Sequence, residues 1–326
     1  MKPGAVVRAC PRSLEGKTVA VLGYGNQGRA QAQCMRDSGV SVIVGARKRG
    51  RSFREAERDG FPVMPIGEAV RRADAACVLI SDMAQGKVFR DEILPSLKPG
   101  KTLYFSHGFN VAFGIVKPPK GVDVILVAPK ATGSRLREAY LNGENVPLFV
   151  SVWQDATGNA GATAEAFARA LGPAKGARKA FRCTFAQEAV ANVFGEQAVT
   201  LGGAMQIAKA GFETMVERGI PPELAYHECV AVTKLVVDLL YARGLKGTVF
   251  GVSETAAYGG LSRGKRVVGE AVKKEMREIF SEIEDGRFAE EWLSEHARGG
   301  KRFREMKRAE SRHPLEAAHR KAGKKS

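Results

Sequence analysis

Short apolar runs alternate with amphipathic segments over the first 182 residues of the chain. Several of these runs are continuously apolar, as expected of parallel strands that are covered on both faces. Six of them predict strands, at residues 18–22, 41–44, 75–80, 102–105, 122–128 and 148–152. Helical patterns, such as residues 29–38 and 53–59, lie between the strands. The alternation predicts a doubly wound α/β domain over residues 1–182.

Beyond residue 182 no further strand pattern occurs, and helical periodicity dominates. Residues 185–218 predict one long helix, with candidate breaks near Gly202-Gly203 and Gly211, that ends at Gly219, before a pair of prolines. Residues 222–243 predict a second helix, with Gly244 just past its end. Helical patterns return at residues 264–283 and 287–298. The predicted fold class is therefore α/β followed by all-α, with a helical domain over residues 183–326.

Length and composition are those of a soluble two-domain protein. The chain has 326 residues, of which 44% are hydrophobic and 26% charged. No run approaches the roughly 18 apolar residues of a membrane helix, and the N-terminus lacks an apolar signal core. We therefore expect a cytoplasmic protein without a membrane partner. Five scattered cysteines without a C-x-x-C pair predict neither disulfides nor a zinc site.

The formal net charge is +16, and half of the excess lies in the last 29 residues, where eleven Lys and Arg face three Glu. We interpret this tail as a solvated helix with a basic end. A nucleic-acid-binding arm is the alternative. The tail has little aromatic interleaving and no recognised nucleic-acid motif, so we expect no nucleic-acid partner. Attraction of an anionic cofactor or substrate is a simpler use of the charge.

A glycine-rich turn follows the first predicted strand and opens a helix. It reads Gly23-Tyr24-Gly25-Asn26-Gln27-Gly28. In this setting the glycines allow a tight turn and close backbone approach, and a pyrophosphate can lie on the helix N-terminus. These six residues are therefore predicted to bind a dinucleotide. A tight turn without a ligand is the alternative.

The segment after the second strand indicates which dinucleotide binds. NAD-preferring sites usually place an acid there, but this segment carries Arg47, Lys48, Arg49, Arg51 and Ser52 and no acid. Guanidinium groups suit a 2′-phosphate in both charge and geometry. The three arginines and the serine are thus predicted to bind NADP(H). A solvated basic loop without a function is the alternative.

Six stretches, the first of which contains the glycine-rich turn, resemble the short-chain (class I) ketol-acid reductoisomerases, also called acetohydroxy acid isomeroreductases. The resemblance covers residues 16–315, and its motifs occur in the family's order. The stretches are Val21-Leu22-Gly23-Tyr24-Gly25-Asn26-Gln27-Gly28, His107-Gly108-Phe109-Asn110, Val127-Ala128-Pro129-Lys130, Phe194-Gly195-Glu196-Gln197-Ala198, Lys209-Ala210-Gly211-Phe212-Glu213-Thr214 and Ala225-Tyr226-His227-Glu228-Cys229.

The resemblance implies a Rossmann-type N-domain, a knotted helical C-domain, and a homodimer in which the partner completes each active site. The family converts 2-acetolactate or 2-aceto-2-hydroxybutyrate to the dihydroxy acid, in branched-chain amino acid biosynthesis. Alkyl migration precedes hydride transfer from NADPH, and two Mg²⁺ ions assist. His107 and Lys130 match the family's active-site His and Lys, and together with Glu196 and Glu228 they are the implied catalytic residues. His107, Asp82 and Gln85 are also implied cofactor contacts. A buried structural role is the alternative for His107.

The family's metal ligands are four carboxylates in two helical i, i+4 pairs, a spacing that places both members on one face. Here Glu196 is kept but its partner is Asn192, and Glu228 is kept but its partner is Val232. We therefore expect one ion or none rather than two, held by the two glutamates and Asn192. Glu188, one turn earlier, is a reserve ligand. Alternatively, Glu196 and Glu228 make only hydrogen bonds or ion pairs.

The implied substrate pocket also departs from the family. Ser253, the family's ligand for the substrate carboxylate, is kept, and with Glu254 and Lys130 it is a predicted substrate contact. However, Glu254 replaces the usual Asn and Ala257 replaces the usual Glu. An anion beside a carboxylate site repels the usual substrate unless it is paired. These changes predict a different substrate.

Three functions fit these observations. The first is an NADPH-dependent oxidoreductase that transfers hydride to a C=O or C=N of a small substrate without alkyl migration. The second is a working ketol-acid reductoisomerase with relocated metal ligands. The third is a non-catalytic protein that binds NADPH.

Overall fold

The computed structural model describes residues 10–172 and 180–322 and divides into two compact units, which meet in the sequence between Val190 and Ala191. The predicted boundary lies eight residues earlier, after residue 182. Residues 183–190 belong to the first unit because Phe185, 1% exposed, packs into its core beside Phe105.

An eight-stranded sheet forms the centre of the first unit. All neighbouring strands pair in parallel except β6 and β7, which are antiparallel. The sheet order is β3-β2-β1-β4-β5-β6-β7-β8. The strands are β1 (Thr18–Leu22), β2 (Ser41–Gly45), β3 (Val63–Met64), β4 (Ala75–Val78), β5 (Thr102–Phe105), β6 (Asp123–Pro129), β7 (Leu148–Gln154) and β8 (Ala180–Arg182).

All six predicted strands are present, each within two residues of its predicted bounds. The predicted doubly wound parallel sheet is confirmed, and the antiparallel pairing of β7 with β6 is a detail that a continuous apolar run does not reveal. Strands β3 and β8 were missed because two or three residues are too few to show a pattern.

Helices cover both faces of this sheet, as predicted. Along β1, Val19 and Val21 belong to one core cluster, while Ala20 and Leu22 belong to the other. This alternation reflects the two-residue period of a strand. The helices are α1 (Asn26–Asp37), α2 (Arg51–Arg58), α3 (Ile66–Arg72), α4 (Asp82–Val88), α5 (Phe109–Ala112), α6 (Gly133–Asn142), α7 (Ala160–Leu171) and α8 (Phe185–Phe194), which continues past the unit boundary.

The described residues of the second unit are helical and contain no strand. A π-helical segment interrupts each of the two predicted long helices, at Gly195–Thr200 and at His227–Ala231. The first interruption requires glycine, because a Cβ on Gly202 would lie 1.9 Å from the Gln197 carbonyl oxygen. The helices are α9 (Gly202–Glu217), α10 (Pro222–Tyr226), α11 (Val232–Val249), α12 (Glu254–Val267), α13 (Glu270–Glu284), α14 (Arg287–Ala297), α15 (Lys301–Ser311) and α16 (Pro314–Lys321).

The basic tail is not simply a solvated helix. Within α16 Ala318 is buried, and His319 Nδ1 lies 2.8 Å from the hydroxyl of Tyr226. Lys209 also donates to Glu310 at 3.0 Å. The tail therefore packs against α9 and α10, and its last four residues, 323–326, lie outside the described part. In the described residues no helix is long and apolar enough to cross a membrane.

A buried hydroxyl provides a test of the sheet core. The Tyr104 hydroxyl lies 2.7 Å from Gln31 Oε1 and 2.9 Å from the Val127 carbonyl oxygen, and its ring is fully buried. We expect Tyr104→Phe to lower the free energy of unfolding by about 1–3 kcal/mol, because a buried acceptor loses its donor. Denaturant unfolding measures this. Ser41→Ala, which removes an exposed hydroxyl from β2 of the same sheet, is the control. Equal effects of the two substitutions would contradict the expectation.

Candidate functional site

The glycine-rich turn leaves its backbone open to a ligand. Helix α1 begins at Asn26, and no atom lies within 4 Å of where a Cβ on Gly25 would stand. A Cβ on Gly28, in contrast, would lie 2.2 Å from the Gly23 carbonyl oxygen. Gly28 thus allows the close packing of the turn, while the space at Gly25 fits a pyrophosphate at the helix N-terminus.

A cavity of about 600 Å³ adjoins this turn. Five of the predicted cofactor residues line it: Tyr24, Gly25, Asn26, Arg51 and Ser52. Sequence reasoning missed the other lining residues, which are Arg29, Ala30, Gln33, Glu55, Gly133, Ser134 and Arg137.

Only part of the predicted basic loop lines the cavity. Arg51 lines the cavity and donates through Nε to Glu55 Oε1 at 2.7 Å. Arg47 and Arg49 are exposed and are not among the residues that line the cavity. Because Arg51 and Ser52 line the cavity, they are the residues of this segment best placed to bind a phosphate.

Three polar side chains of the turn bind other parts of the first unit. The Asn26 side chain accepts from the Gly133 amide, and Gln27 donates to the Ala131 carbonyl oxygen at 2.8 Å. The Tyr24 hydroxyl donates to Asp59 at 2.8 Å, and burial together with this bond raises the pKa of Tyr24. These three side chains are engaged in hydrogen bonds within the first unit. The backbone of the turn is therefore the part that we predict to bind the cofactor.

At the carboxyl ends of β4 and β5, the structure brings together Asp82, Gln85, His107 and Asn110. Gln85 donates to Asp82 at 3.1 Å, and Asn110 donates to Gln85 at 3.1 Å. His107 Nδ1 lies 3.5 Å from Asp82 Oδ2. The three predicted cofactor contacts thus form one polar cluster at this edge of the sheet, where ligands of open α/β sheets bind.

Lys130 follows β6 at the same edge and pairs with a buried acid. Its Nζ lies 2.6 Å from Oε1 of Glu188, which is 1% exposed. The other oxygen, Oε2, accepts from the backbone N–H of Gly108 at 2.7 Å. Glu188 therefore links the catalytic candidate Lys130 to the loop that carries His107. With both oxygens bound in this way, it is not a free reserve metal ligand.

Close backbone packing supports this link. A Cβ on Gly108 would lie 2.5 Å from the Phe185 carbonyl oxygen, so only glycine lets α8 approach the loop this closely. Sequence reasoning missed the Lys130 partner because 58 residues separate the two side chains. No local pattern connects positions that distant.

Several charged groups act on the imidazole of His107. Burial lowers the pKa of His107, but Asp82 and Glu188 raise it by more, with Lys130 acting in the opposite direction. The net pKa is above the ordinary value. The buried Nε2 has no hydrogen-bond partner among the described residues. The ring itself stacks against Phe109, with centroids 5.7 Å apart.

The predicted metal ligands and the substrate residues Ser253 and Glu254 lie in the second unit, whereas the substrate residue Lys130 lies in the first. Asn192 donates through Nδ2 to Glu196 Oε1 at 3.2 Å, whereas Glu228 lies in the π-helical segment before Val232. In residues 10–172 and 180–322, no group of three or more His, Cys, Asp or Glu could hold a metal ion.

The serine motif forms the start of α12. Ser253 is the N-cap of this helix, and its hydroxyl accepts from the Ala256 amide at 3.3 Å. The next residue, Glu254, is exposed in the first turn. The Ser253 hydroxyl proton remains available for donation to a ligand.

The doubly wound sheet, the open phosphate turn and the ionisable cluster at the carboxyl edge define a dinucleotide-dependent enzyme of the reductase or dehydrogenase class. Comparison with known proteins narrows this class. Residues 13–177 match the family described as acetohydroxy acid isomeroreductase, NADPH-binding domain. Residues 185–325 match ketol-acid reductoisomerase, C-terminal domain. The chain therefore belongs to the ketol-acid reductoisomerase family.

Individual relatives agree with this assignment. The ketol-acid reductoisomerase (NADP(+)) of Pyrobaculum aerophilum is 48% identical over 93% of this chain and 92% of its own. That of Pyrococcus abyssi is 47% identical over 93% and 91%. The solved structure of an NADH-preferring ketol-acid reductoisomerase from an uncultured archaeon superimposes with a TM-score of 0.91, at 40% identity and 96% coverage of both chains.

These findings confirm the predicted family and the fold class of a Rossmann-type domain followed by a helical domain. They also confirm an NADP-dependent oxidoreductase, with NADP(H) as its cofactor. The knot in the helical domain and the roles of individual residues stay predictions.

Arg51, the arginine of the basic segment that lines the cavity, provides a test of cofactor choice. We expect NADPH to bind at least tenfold more tightly than NADH, equivalent to about 1.4 kcal/mol. Arg51→Ala should remove most of this preference, because a guanidinium beside the 2′-phosphate is lost. Lys48→Ala, an exposed cation of the same loop outside the cavity lining, is the control. Fluorescence titration with both cofactors measures the preference. Equal affinities in the unmodified protein would refute the assignment.

Proposed function

We propose that the chain catalyses the reaction of its family, the NADPH-dependent conversion of a ketol acid such as 2-acetolactate to the dihydroxy acid. The observation that carries this proposal is the 46–48% identity to ketol-acid reductoisomerases (NADP(+)) along 93–95% of the chain. The paired Lys130 and Glu188 and the neighbouring His107 support it, because they give the sheet edge ionisable groups beside a cofactor site.

In this proposal the chain's own residues have distinct tasks. The turn at Gly25 and the Arg51 side chain bind the phosphates of NADPH. Lys130, held by Glu188, presents an ammonium group to the substrate oxygens and exchanges a proton with them. Ser253 donates its hydroxyl proton to the substrate carboxylate.

The implied magnesium site fits the residues only in part. The Asn192 amide and the Glu196 carboxylate converge at 3.2 Å, so an amide oxygen and a carboxylate oxygen could face one ion after rotation of the amide. Glu228 could supply a second carboxylate, but Val232 has no ligand atom. Hard divalent cations depend on ligand charge, so this set suits one ion better than two. Such an ion would polarise a substrate carbonyl.

A second candidate function is hydride transfer to a C=O or C=N without alkyl migration. The specific observation in its favour is the pair Asn192 and Val232, which removes two of the family's four carboxylates. Migration requires a deprotonated hydroxyl beside a polarised ketone, and two ions supply both effects together. Reduction alone requires only one polarised carbonyl, so the smaller ligand set is sufficient.

A comparison of three substrates separates the candidates. We expect NADPH oxidation with 2-acetolactate in excess Mg²⁺ and with the 3-hydroxy-2-keto acid that migration generates. Lys130→Ala should lower both rates by about 10²–10⁴-fold, as for the loss of an acid–base group. Lys98→Ala, an exposed lysine outside the cluster, should change neither rate. A simple 2-keto acid is the third substrate.

The pattern of turnover identifies the function. Reduction of the rearranged acid or the simple 2-keto acid, without turnover of 2-acetolactate, would contradict the first candidate and establish the second. In that case Asn192→Asp with Val232→Glu should restore turnover of 2-acetolactate. NADPH binding without turnover of any carbonyl or imine would contradict both candidates and indicate a non-catalytic protein.

We further propose a homodimer with shared active sites, supported by apolar side chains on α11. Leu235, Val237 and Leu245 are 59%, 55% and 77% exposed in the single chain, and a second copy would cover them. Sedimentation at micromolar concentration should show a dimer, and a monomer would contradict the proposal. Shared sites predict that inactive Lys130→Ala and Ser253→Ala chains regain activity when co-expressed, because mixed dimers contain one intact site.

A further inference from the structure

His107 lies within ion-pairing distance of Asp82, which has no other cationic partner in the part of the chain that the structure describes. His107 Nδ1 lies 3.5 Å from Asp82 Oδ2. The other polar partners of Asp82 in the described chain are the neutral amides of Gln85 and Asn110, at 3.1 Å and 3.3 Å. The negative charge of Asp82 is therefore balanced by His107 alone within the described residues.

The other acid that faces His107 already has a partner. Glu188 is paired with Lys130 at 2.6 Å, so the two opposite charges largely cancel at the imidazole. Asp82, Glu188 and Lys130 are the charged groups that act on His107. The uncompensated charge among them is that of Asp82, and an opposite charge at this distance favours the protonated ring.

The two ring nitrogens of His107 have different surroundings. Nδ1 faces Asp82, whereas the buried Nε2 has no partner among the described residues. A buried polar atom without a partner costs about 1–3 kcal/mol, so a bound group that pairs with it is stabilised. Nε2 is thus the nitrogen left for a ligand.

We propose that Asp82 is the positioning residue of His107, holding the ring through Nδ1 and keeping it protonated so that Nε2–H serves as a proton donor to the bound substrate. Asp82 would then act through His107 rather than only as a cofactor contact. The part of this proposal that concerns the substrate rests on the proposed function, whereas the ion pair does not.

His107 supplies the proton for the reduced oxygen. Bound NADPH would supply a hydride, which would bring two electrons to the carbonyl carbon and leave NADP⁺, while the carbonyl π pair moves to the oxygen. The oxygen takes the Nε2 proton of His107. The imidazole becomes neutral, with its remaining proton on Nδ1 beside Asp82.

NMR titration of the histidine rings tests the ion pair without any substrate. The full-length protein has five histidines, and His107→Gln assigns the signal of interest by its loss. We expect His107 to titrate above the ordinary value of about 6.5. Asp82→Asn should lower the pKa of His107 by about one, which is tenfold weaker proton binding. Asp91→Asn, which removes an equal charge paired with Lys87 on an exposed surface, should leave it unchanged.

Two further variants keep the test decisive. If Asp82→Asn does not fold, Asp82→Ser removes the same charge from the start of α4, and Asp82→Glu should restore the raised pKa of His107. Titration of His107 at or below 6.5 in the unmodified protein, or an equal pKa in the Asp82 and Asp91 variants, would overturn the proposal. A raised pKa together with no turnover would refute the proposed function and leave the ion pair intact.

Discussion

The pairing of the buried Glu188 carboxylate with Lys130 and the Gly108 amide is the interaction on which the carboxyl edge of the sheet depends. A buried charge is costly unless it is paired and hydrogen-bonded. Here Lys130 supplies the opposite charge and the Gly108 amide supplies the hydrogen bond. Both partners lie just beyond strands of the sheet, Lys130 after β6 and Gly108 after β5. The start of α8 is thereby tied to the loop that carries His107.

The parallel topology of the sheet explains why the ionisable groups and the cofactor turn meet at one edge. The phosphate turn follows β1, while the ionisable groups follow β4, β5 and β6, and parallel strands bring their carboxyl ends together. Cofactor binding depends on backbone geometry and one basic loop. Metal and substrate binding depend on side chains. At the implied metal site, Asn192 and Val232 leave only two of the four carboxylates that the family resemblance implies.

The parts of the fold that could be predicted are those with a local signal. The strands at residues 18–22 and 102–105 and the glycine-rich turn follow from apolar runs and glycine spacing alone. The antiparallel pairing of β7 could not be predicted, because it depends on pairing between segments that are distant in the sequence. For the same reason the Glu188 partner of Lys130 was missed, and Glu188 was interpreted as a reserve metal ligand.

A double-mutant cycle on Lys130 and Glu188 tests the central claim most directly. The free energy of unfolding would be measured for the unmodified protein, Lys130→Met, Glu188→Gln and the double variant, at one fixed protein concentration. The account predicts a coupling energy on the order of 1–3 kcal/mol, because either single change leaves a charge or a buried polar group without its partner. A coupling energy near zero would contradict it.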